Sequence, residues 1–211
     1  MPLIVLEGPE GAGKTTQLRK LAEWLSAKKK DVITAREPGG TPLGDEIRKL
    51  LLDPASDITP RAESLLFMAS RAQLVEKEIG PALTRGAIVL LDRFFLSTYA
   101  YQVAGRGLPH EDIVAANRLA TDGLRPDATL LLTLPVAEGL ARASKRGAHD
   151  RMERADAAFH QRVADAFAEF ATQEWQKANP EAGPIVNVDA RGSVDEVFRR
   201  LTTEVSRLVR L

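Results

Sequence analysis

Straight after the apolar run Leu3 to Leu6 the chain reads Gly8-Pro9-Glu10-Gly11-Ala12-Gly13-Lys14-Thr15, a stretch that leaves few folds open. The pattern G-x-x-x-x-G-K-[ST] is a phosphate loop, and it works only where a buried strand delivers the chain into it and a helix leaves it. Its glycines let successive backbone N–H groups turn onto phosphate oxygens. Lys14 reaches the β- and γ-phosphates, and the Thr15 hydroxyl is placed to ligate Mg²⁺. A side chain at Gly13 is expected to obstruct the cradle. A plain glycine-rich turn does not account for Lys and Thr in register with correct flanks on both sides, so the chain is expected to hold a nucleoside triphosphate.

The rest of the chain fits one α/β domain over residues 1–211, a length that buries a core without disulfides, and there is no cysteine. Lys+Arg and Asp+Glu both number 29, which argues against the basic footprint of a nucleic-acid binder. Met1-Pro2-Leu3-Ile4-Val5-Leu6-Glu7 has no basic region before its apolar stretch and ends on a charge, so neither a secretion signal nor a membrane anchor is expected. A cytoplasmic location follows as an expectation.

Strand-like runs alternate with helical periods, the pattern of a parallel sheet with crossover helices. Strands are expected at 3–6, 31–36, 87–92, 128–133 and 185–188, and Glu37 to Pro42 must be loop, with two prolines and two glycines in six positions. The first helix carries Leu18, Leu21, Ala22 and Leu25 inward and ends in solvated Lys28-Lys29-Lys30. A second, from about Thr41 to Leu52, is expected to bury Leu43, Ile47, Leu50 and Leu51. A third starts near Thr59-Pro60 and buries Leu65, Met68, Ala69, Ala72 and Ile79, with Gly80-Pro81 breaking or kinking it. Helices over about 97–104 and 111–124 follow. A terminal helix shows Val194, Val197, Phe198, Leu201, Val205 and Leu208 on one stripe.

Against that frame a few polar residues stand out. Asp92 ends an apolar strand, as does the acid that phosphate-loop enzymes use around Mg²⁺, and Arg93 follows it toward the crevice at the strands' carboxyl ends. Phe67 and Arg71, at i and i+4, share a helix face offset from the core stripe; a flat ring beside a planar cation suits a pyrimidine base. Ser97-Thr98-Tyr99-Ala100-Tyr101-Gln102 adds hydroxyls and a carboxamide nearby. Between Leu140 and Phe159 the helical pattern is broken by Arg142, Lys145, Arg146, Gly147, Arg151 and Arg154, which reads as a mobile cationic flap. His110, His149 and His160 lack metal-ligand spacing, and Trp24 and Trp175 read as packing residues.

Five tokens in order carry a resemblance over essentially the whole chain: GPEGAGKTTQ at 8–17, REPGGT at 36–41, FMASRAQ at 67–73, DRFFLSTYAYQ at 92–102 and RASKRGAHDRMER at 142–154. The chain resembles the thymidylate kinases, of the nucleoside monophosphate kinase family. The resemblance implies a phosphate-loop NTPase fold of three layers, with a five-stranded parallel sheet flanked by helices and an Arg-rich lid over about 142–154. It also implies ATP and dTMP as substrates giving ADP and dTDP, Mg²⁺ dependence and a homodimer, with no nucleic acid and no membrane. ATP would lie on Gly8, Pro9, Glu10, Gly11, Ala12, Gly13, Lys14, Thr15 and Thr16, with the metal at Thr15 and Asp92. Around dTMP the resemblance places Glu10 at the 3′-hydroxyl, Phe67 under the base, Arg71 at its edge, Arg48 and Arg93 at the phosphate, and Glu37, Pro38, Thr98, Tyr101 and Gln102 about the nucleoside. The catalytic cations are then Lys14, Arg93 and the lid's Arg142, Arg146 and Arg151.

Gly11 stands where some relatives carry a catalytic Arg, and the Arg-rich lid matches the bacterial arrangement. Phe94 replaces a usual Tyr or His, and Ser144 a further lid Arg found in some relatives. A relative acting on dUMP, UMP or dCMP is the near alternative, since one methyl group is worth only about 1–3 kcal/mol of discrimination. A GTPase-type switch is the remote one, because no Asn-Lys pair exists for an N-K-x-D guanine reader.

Overall fold

A computed structural model describes residues 2–143, 150–152 and 154–209. Five parallel strands, β1 (Leu3–Glu7), β2 (Val32–Arg36), β3 (Ile88–Asp92), β4 (Ala128–Thr133) and β5 (Ile185–Asp189), stand in the order β2-β3-β1-β4-β5. β1, β3 and β4 are central and nearly wholly apolar, which is why their sequences read as continuous hydrophobic runs rather than alternating ones. Leu3, Val5, Val89, Leu91 and Leu131 point to one face, Ile4, Leu6, Ile88, Leu90, Leu130 and Leu132 to the other.

On that second face lie α1 (Lys14–Ala27), through Leu18, Leu21 and Leu25, and α10 (Val194–Leu208), through Val197, Leu201 and Val205. Ser193 and Glu196 form a capping box at the start of α10, so Val194 sits in the first turn and is exposed rather than part of the stripe. The first face is covered by α3 (Pro60–Leu74), α6 (His110–Thr121) and α8 (Ala157–Phe170). Also present are α2 (Pro42–Leu52), α4 (Gly80–Thr84), α5 (Phe95–Thr98), α7 (Val136–Ala143) and α9 (Gln173–Ala178). Trp175 packs against Phe170 and Tyr99, and Trp24 against the α1 side of the core.

Two helices differ from the sequence expectation. In α2, capped by Thr41 and opened by Pro42, Ile47 and Leu51 are buried, but Leu43 and Leu50 are 51% and 48% exposed. In α3, Met68 is buried while Leu65 is 66% exposed and Ala69 is exposed too; the inward face carries Glu63, Ser64, Ser70 and Arg71 instead. The reason is positional: α3 forms a wall of the cleft described below, so part of its inward face serves a polar site and Leu65 turns out, while Met68 and Leu74 keep their places in the core.

Nor does Gly80-Pro81 break the helix. α3 passes through a π turn (Val75–Ile79), with Gly80 N–H donating to Val75 O, directly into α4; the wider turn takes up a proline that has no N–H to offer. A second π turn (Tyr99–Gly105) extends α5 and carries Tyr101 and Gln102.

Candidate active site

β1 and β3 are neighbours, paired Leu6 to Asp92, and the chain leaving each carboxyl end turns into one crevice, the place where open α/β sheets hold ligands. Gly13 caps α1 in a left-handed conformation (φ 87°), and a Cβ built there meets nothing within 4 Å. Backbone conformation thus demands glycine there, and a Cβ would project into the open cradle rather than onto protein. Lys14 is buried and its Nζ donates to the Gly8 and Pro9 carbonyls, both at 2.9 Å. Burial lowers its pKa to about 7, helped by the positive charge of Arg93, so an anion beside it restores its full charge.

Thr15 Oγ1 donates to Asp92 Oδ2 at 2.7 Å. The other Asp92 oxygen, Oδ1, is buried without a hydrogen-bond partner. That orphaned acceptor beside a hydroxyl, at the mouth of a phosphate loop, suits a hard divalent cation that takes one or two protein oxygens and completes its shell with phosphate and water. Among the described residues no group of three or more His, Cys, Asp or Glu forms a separate metal cage.

Arg93 is the second anchor. Its φ of 72° is left-handed, a conformation that costs a non-glycine residue about 1–3 kcal/mol and persists where the surroundings over-determine it. They do so through Glu7, at the end of β1. Its Oε1 accepts from Phe94 N (2.6 Å) and Ser97 N (2.9 Å), and its Oε2 from Ser97 Oγ (2.7 Å). Ser97 Oγ in turn accepts from Arg93 Nη1 at 2.9 Å. Burial disfavours the Arg93 charge, but Tyr101, Asp92, Glu7 and Glu10 outweigh it and raise the pKa. The guanidinium lies 5.4 Å from the Tyr101 ring centroid.

Arg71, only 2% exposed, donates through Nε (2.8 Å) and Nη2 to Glu37, through Nη2 to the Phe94 carbonyl (2.9 Å), and through Nη1 to Asn117. A guanidinium has five N–H groups, so one is left for a ligand. Burial raises the Glu37 pKa, with Arg71 opposing it, and Glu37 Oε1 has no partner. Arg48 Nη1 donates to the Pro38 carbonyl at 3.0 Å, and burial followed by the nearby Arg36 charge lowers its pKa.

These groups line one cavity of about 310 Å³. From the sequence-derived set it gathers Glu10, Gly11, Gly13, Lys14, Thr15, Thr16, Glu37, Pro38, Arg48, Phe67, Arg71, Asp92, Arg93, Thr98, Tyr101 and Gln102. Gly8, Pro9 and Ala12 complete the loop without lining the cavity. Arg142 and Arg151 do not line it either. Arg142 donates to Glu138 and to the Ala190 carbonyl (3.2 Å), and Arg151 to Glu63 (2.7 Å) and the Leu51 carbonyl (2.8 Å). Arg146 lies outside the described residues, as do the other flap residues 144–149 and 153.

The cavity also contains Arg36, Leu52, Asp150, Met152 and His160, to which sequence reasoning gave no role, and beneath it are Glu7, Glu63 and Asn117, which it passed over. Glu7 did carry a signal: an acid ending a strand buried at every position.

Comparison with known proteins agrees in kind with this geometry. The family model described as "Thymidylate kinase" matches residues 6–191. A thymidylate kinase of Deinococcus radiodurans is 52% identical over 203 residues, covering 96% of this chain and 95% of that protein. One of Pseudomonas fluorescens is 46% identical over 209 residues (99% and 96%), and one of Thermosynechococcus vestitus 48% over 195 residues (86% and 81%).

Proposed function

This chain belongs to the thymidylate kinase family, and we propose that it is a kinase that transfers the γ-phosphoryl group of ATP to dTMP, giving ADP and dTDP. The observation that carries this is one cavity lined both by Lys14 and Thr15 of a phosphate loop and by Phe67, Arg71 and Arg93. The acceptor is itself a phosphate, with a second pKa of about 6, so it is largely dianionic at neutral pH and needs no general base. The obstacle is repulsion: each pair of unit charges about 4 Å apart costs on the order of 4 kcal/mol at an effective dielectric near 20.

Lys14 and Arg93 offset that repulsion, Lys14 regaining its proton against the donor's phosphates and Arg93 arriving pre-charged and locked by Ser97 and Tyr101. Phe67 supplies a face for the base and Arg71 a single N–H for a carbonyl at its edge. Glu10 and Thr98 bound the sugar, and Arg48 lies toward the acceptor phosphate. Thr15 and Asp92 would hold Mg²⁺, which would supply positive charge against the donor's phosphates. A further cation is assigned to the arginines of residues 142–154; Arg142, bonded to Glu138 and Ala190, exchanges those partners to deliver it.

The chain acts as one domain, in the cytoplasm, and as a homodimer. Support for the dimer comes from the outward leucines: α2 packs on α3 and α3 on α6, and Leu43, Leu50, Leu65 and the 86% exposed Leu119 stand on these three neighbouring helices. No helix among the described residues is long and apolar enough to cross a membrane. ADP release with ATP and Mg²⁺ across dTMP, dUMP, UMP, dCMP and AMP tests the assignment. dTMP is expected to give the highest kcat/KM, and a better acceptor among the others overturns it.

A further inference from the structure

Glu63, on α3, lies outside the cavity and is 0% exposed. Its Oε1 accepts from Gln102 Nε2 (3.0 Å) and Arg106 Nε (3.1 Å), its Oε2 from Arg106 Nη2 (3.0 Å) and Arg151 Nη2 (2.7 Å). A buried carboxylate with two guanidinium partners is a weak source of stability, because desolvation cancels much of the attraction. Its consequences run through its partners.

Gln102 is 1% exposed and lines the cavity. An ionised carboxylate only accepts, so the Gln102 amide must turn its NH₂ toward Glu63, which leaves its carbonyl oxygen for a ligand. Arg151 uses Nη2 on Glu63 and Nε on the Leu51 carbonyl (2.8 Å), while its backbone N–H donates to the Leu52 carbonyl at 3.1 Å. Asp150 and Met152, on either side of it, line the cavity together with Leu52. One carboxylate thus sets both an amide's polarity and the seat of a cavity wall.

We propose that Glu63 is a positioning residue for the acceptor nucleotide: it holds Gln102 as an acceptor and clamps residues 150–152 against α2, so the cleft favours a base that donates an N–H at that edge. This rests on the kinase reading above. Thymine and uracil offer N3–H there, whereas cytosine offers an unprotonated N3 and meets a lone pair with a lone pair. Arg151 in this assignment anchors the wall and does not approach the transferring phosphoryl group.

Glu63→Gln is the direct test. Its amide can donate to the Gln102 carbonyl, so Gln102 is free to flip and present NH₂ to the cavity. The expected result is a dTMP KM raised about tenfold, an ATP KM within about twofold of the parent, and a dTMP-to-dCMP ratio of kcat/KM reduced about tenfold or more. A merely structural role lowers the active fraction and leaves both KM values and the ratio at parental levels, which overturns the proposal. Arg151→Lys isolates the clamp: dTMP KM rises with the base ratio unchanged, and a parental KM removes the clamp. Should E63Q not fold, Gln102→Met reads the polarity, and a parental base ratio overturns it. A parent enzyme that does not phosphorylate dTMP refutes the kinase reading itself, a different outcome from all of these.

Discussion

α7 lies with its backbone directly on the phosphate loop, and one methyl group tests what that contact does. A Cβ at Gly139 would stand 2.6 Å from the Glu10 carbonyl oxygen, and one at Gly11 would stand 2.1 Å from the Gly139 carbonyl oxygen. Both partners are backbone, so no side chain can swing aside. Ordinary contact starts at 3.4 Å, so Gly139→Ala requires α7 or the loop to move by about 0.8 Å. Helix propensity pulls the other way, since Ala in place of Gly within a helix stabilises it by about 1 kcal/mol. A displacement near 1 Å in a group that positions reactants costs on the order of 10²-fold in rate. We therefore expect G139A to unfold at or near the parental temperature while kcat/KM for ATP falls by about tenfold to a hundredfold. Steady-state ADP production with ATP varied at saturating dTMP, beside a thermal melt, reads both. Unchanged kinetics with a raised Tm would mean that propensity alone governs the site and that the loop does not feel α7.

Arg93→Ala should raise the dTMP KM and lower kcat far more than it weakens ATP binding, measured by separate titrations; equal losses for both nucleotides defeat its assignment to the acceptor side. Glu63 gives a pH signature. Burial alone would raise its pKa, but hydrogen bonds from Arg106, Gln102 and Arg151 hold it below the usual carboxylate range. Its contribution to stability is therefore complete above the unfolded-state pKa of about 4.3 and lost as pH falls through the lower folded-state value. The Tm of E63Q should accordingly depend less steeply on pH in that acid window than the parent's, and parallel curves contradict this. Leu65→Glu should convert a dimer to monomers by light scattering with the far-UV circular dichroism spectrum unchanged, since Leu65 is exposed within the subunit; an unchanged mass removes that face from the interface.

Much of this molecule was readable because local rules and tertiary demands agree. The strand, loop and helix around Gly8 to Thr15 follow from eight letters, and the runs at 88–92 and 128–132 are buried on both faces as their composition requires. Periodicity misled where a helix serves something other than its own core. Leu43, Leu50 and Leu65 sit at helical spacing yet point outward, while Arg71 and Glu63 occupy the buried positions. Apolar spacing alone does not tell a leucine that meets the subunit's own core from one that faces outward. The supports of the site were hidden for a different reason. Glu7 with Ser97, Glu37 with Arg71 and Glu63 with Arg151 are pairs separated by 90, 34 and 88 residues, and no local pattern links them. Of the arginines at 142, 146 and 151, charge alone gave no ranking; the two that lie among the described residues differ in that Arg151 donates to the buried Glu63 and Arg142 to the half-exposed Glu138.

The most direct measurement follows the phosphoryl group itself. Purified protein given Mg²⁺, dTMP and ATP labelled in the γ-phosphate should move the label into the β-phosphate of dTDP, with parent transfer far above that of Arg93→Ala and little label released as inorganic phosphate. Label found only in inorganic phosphate, or left in ATP while dTMP stays unchanged, contradicts a cleft built to join these two nucleotides.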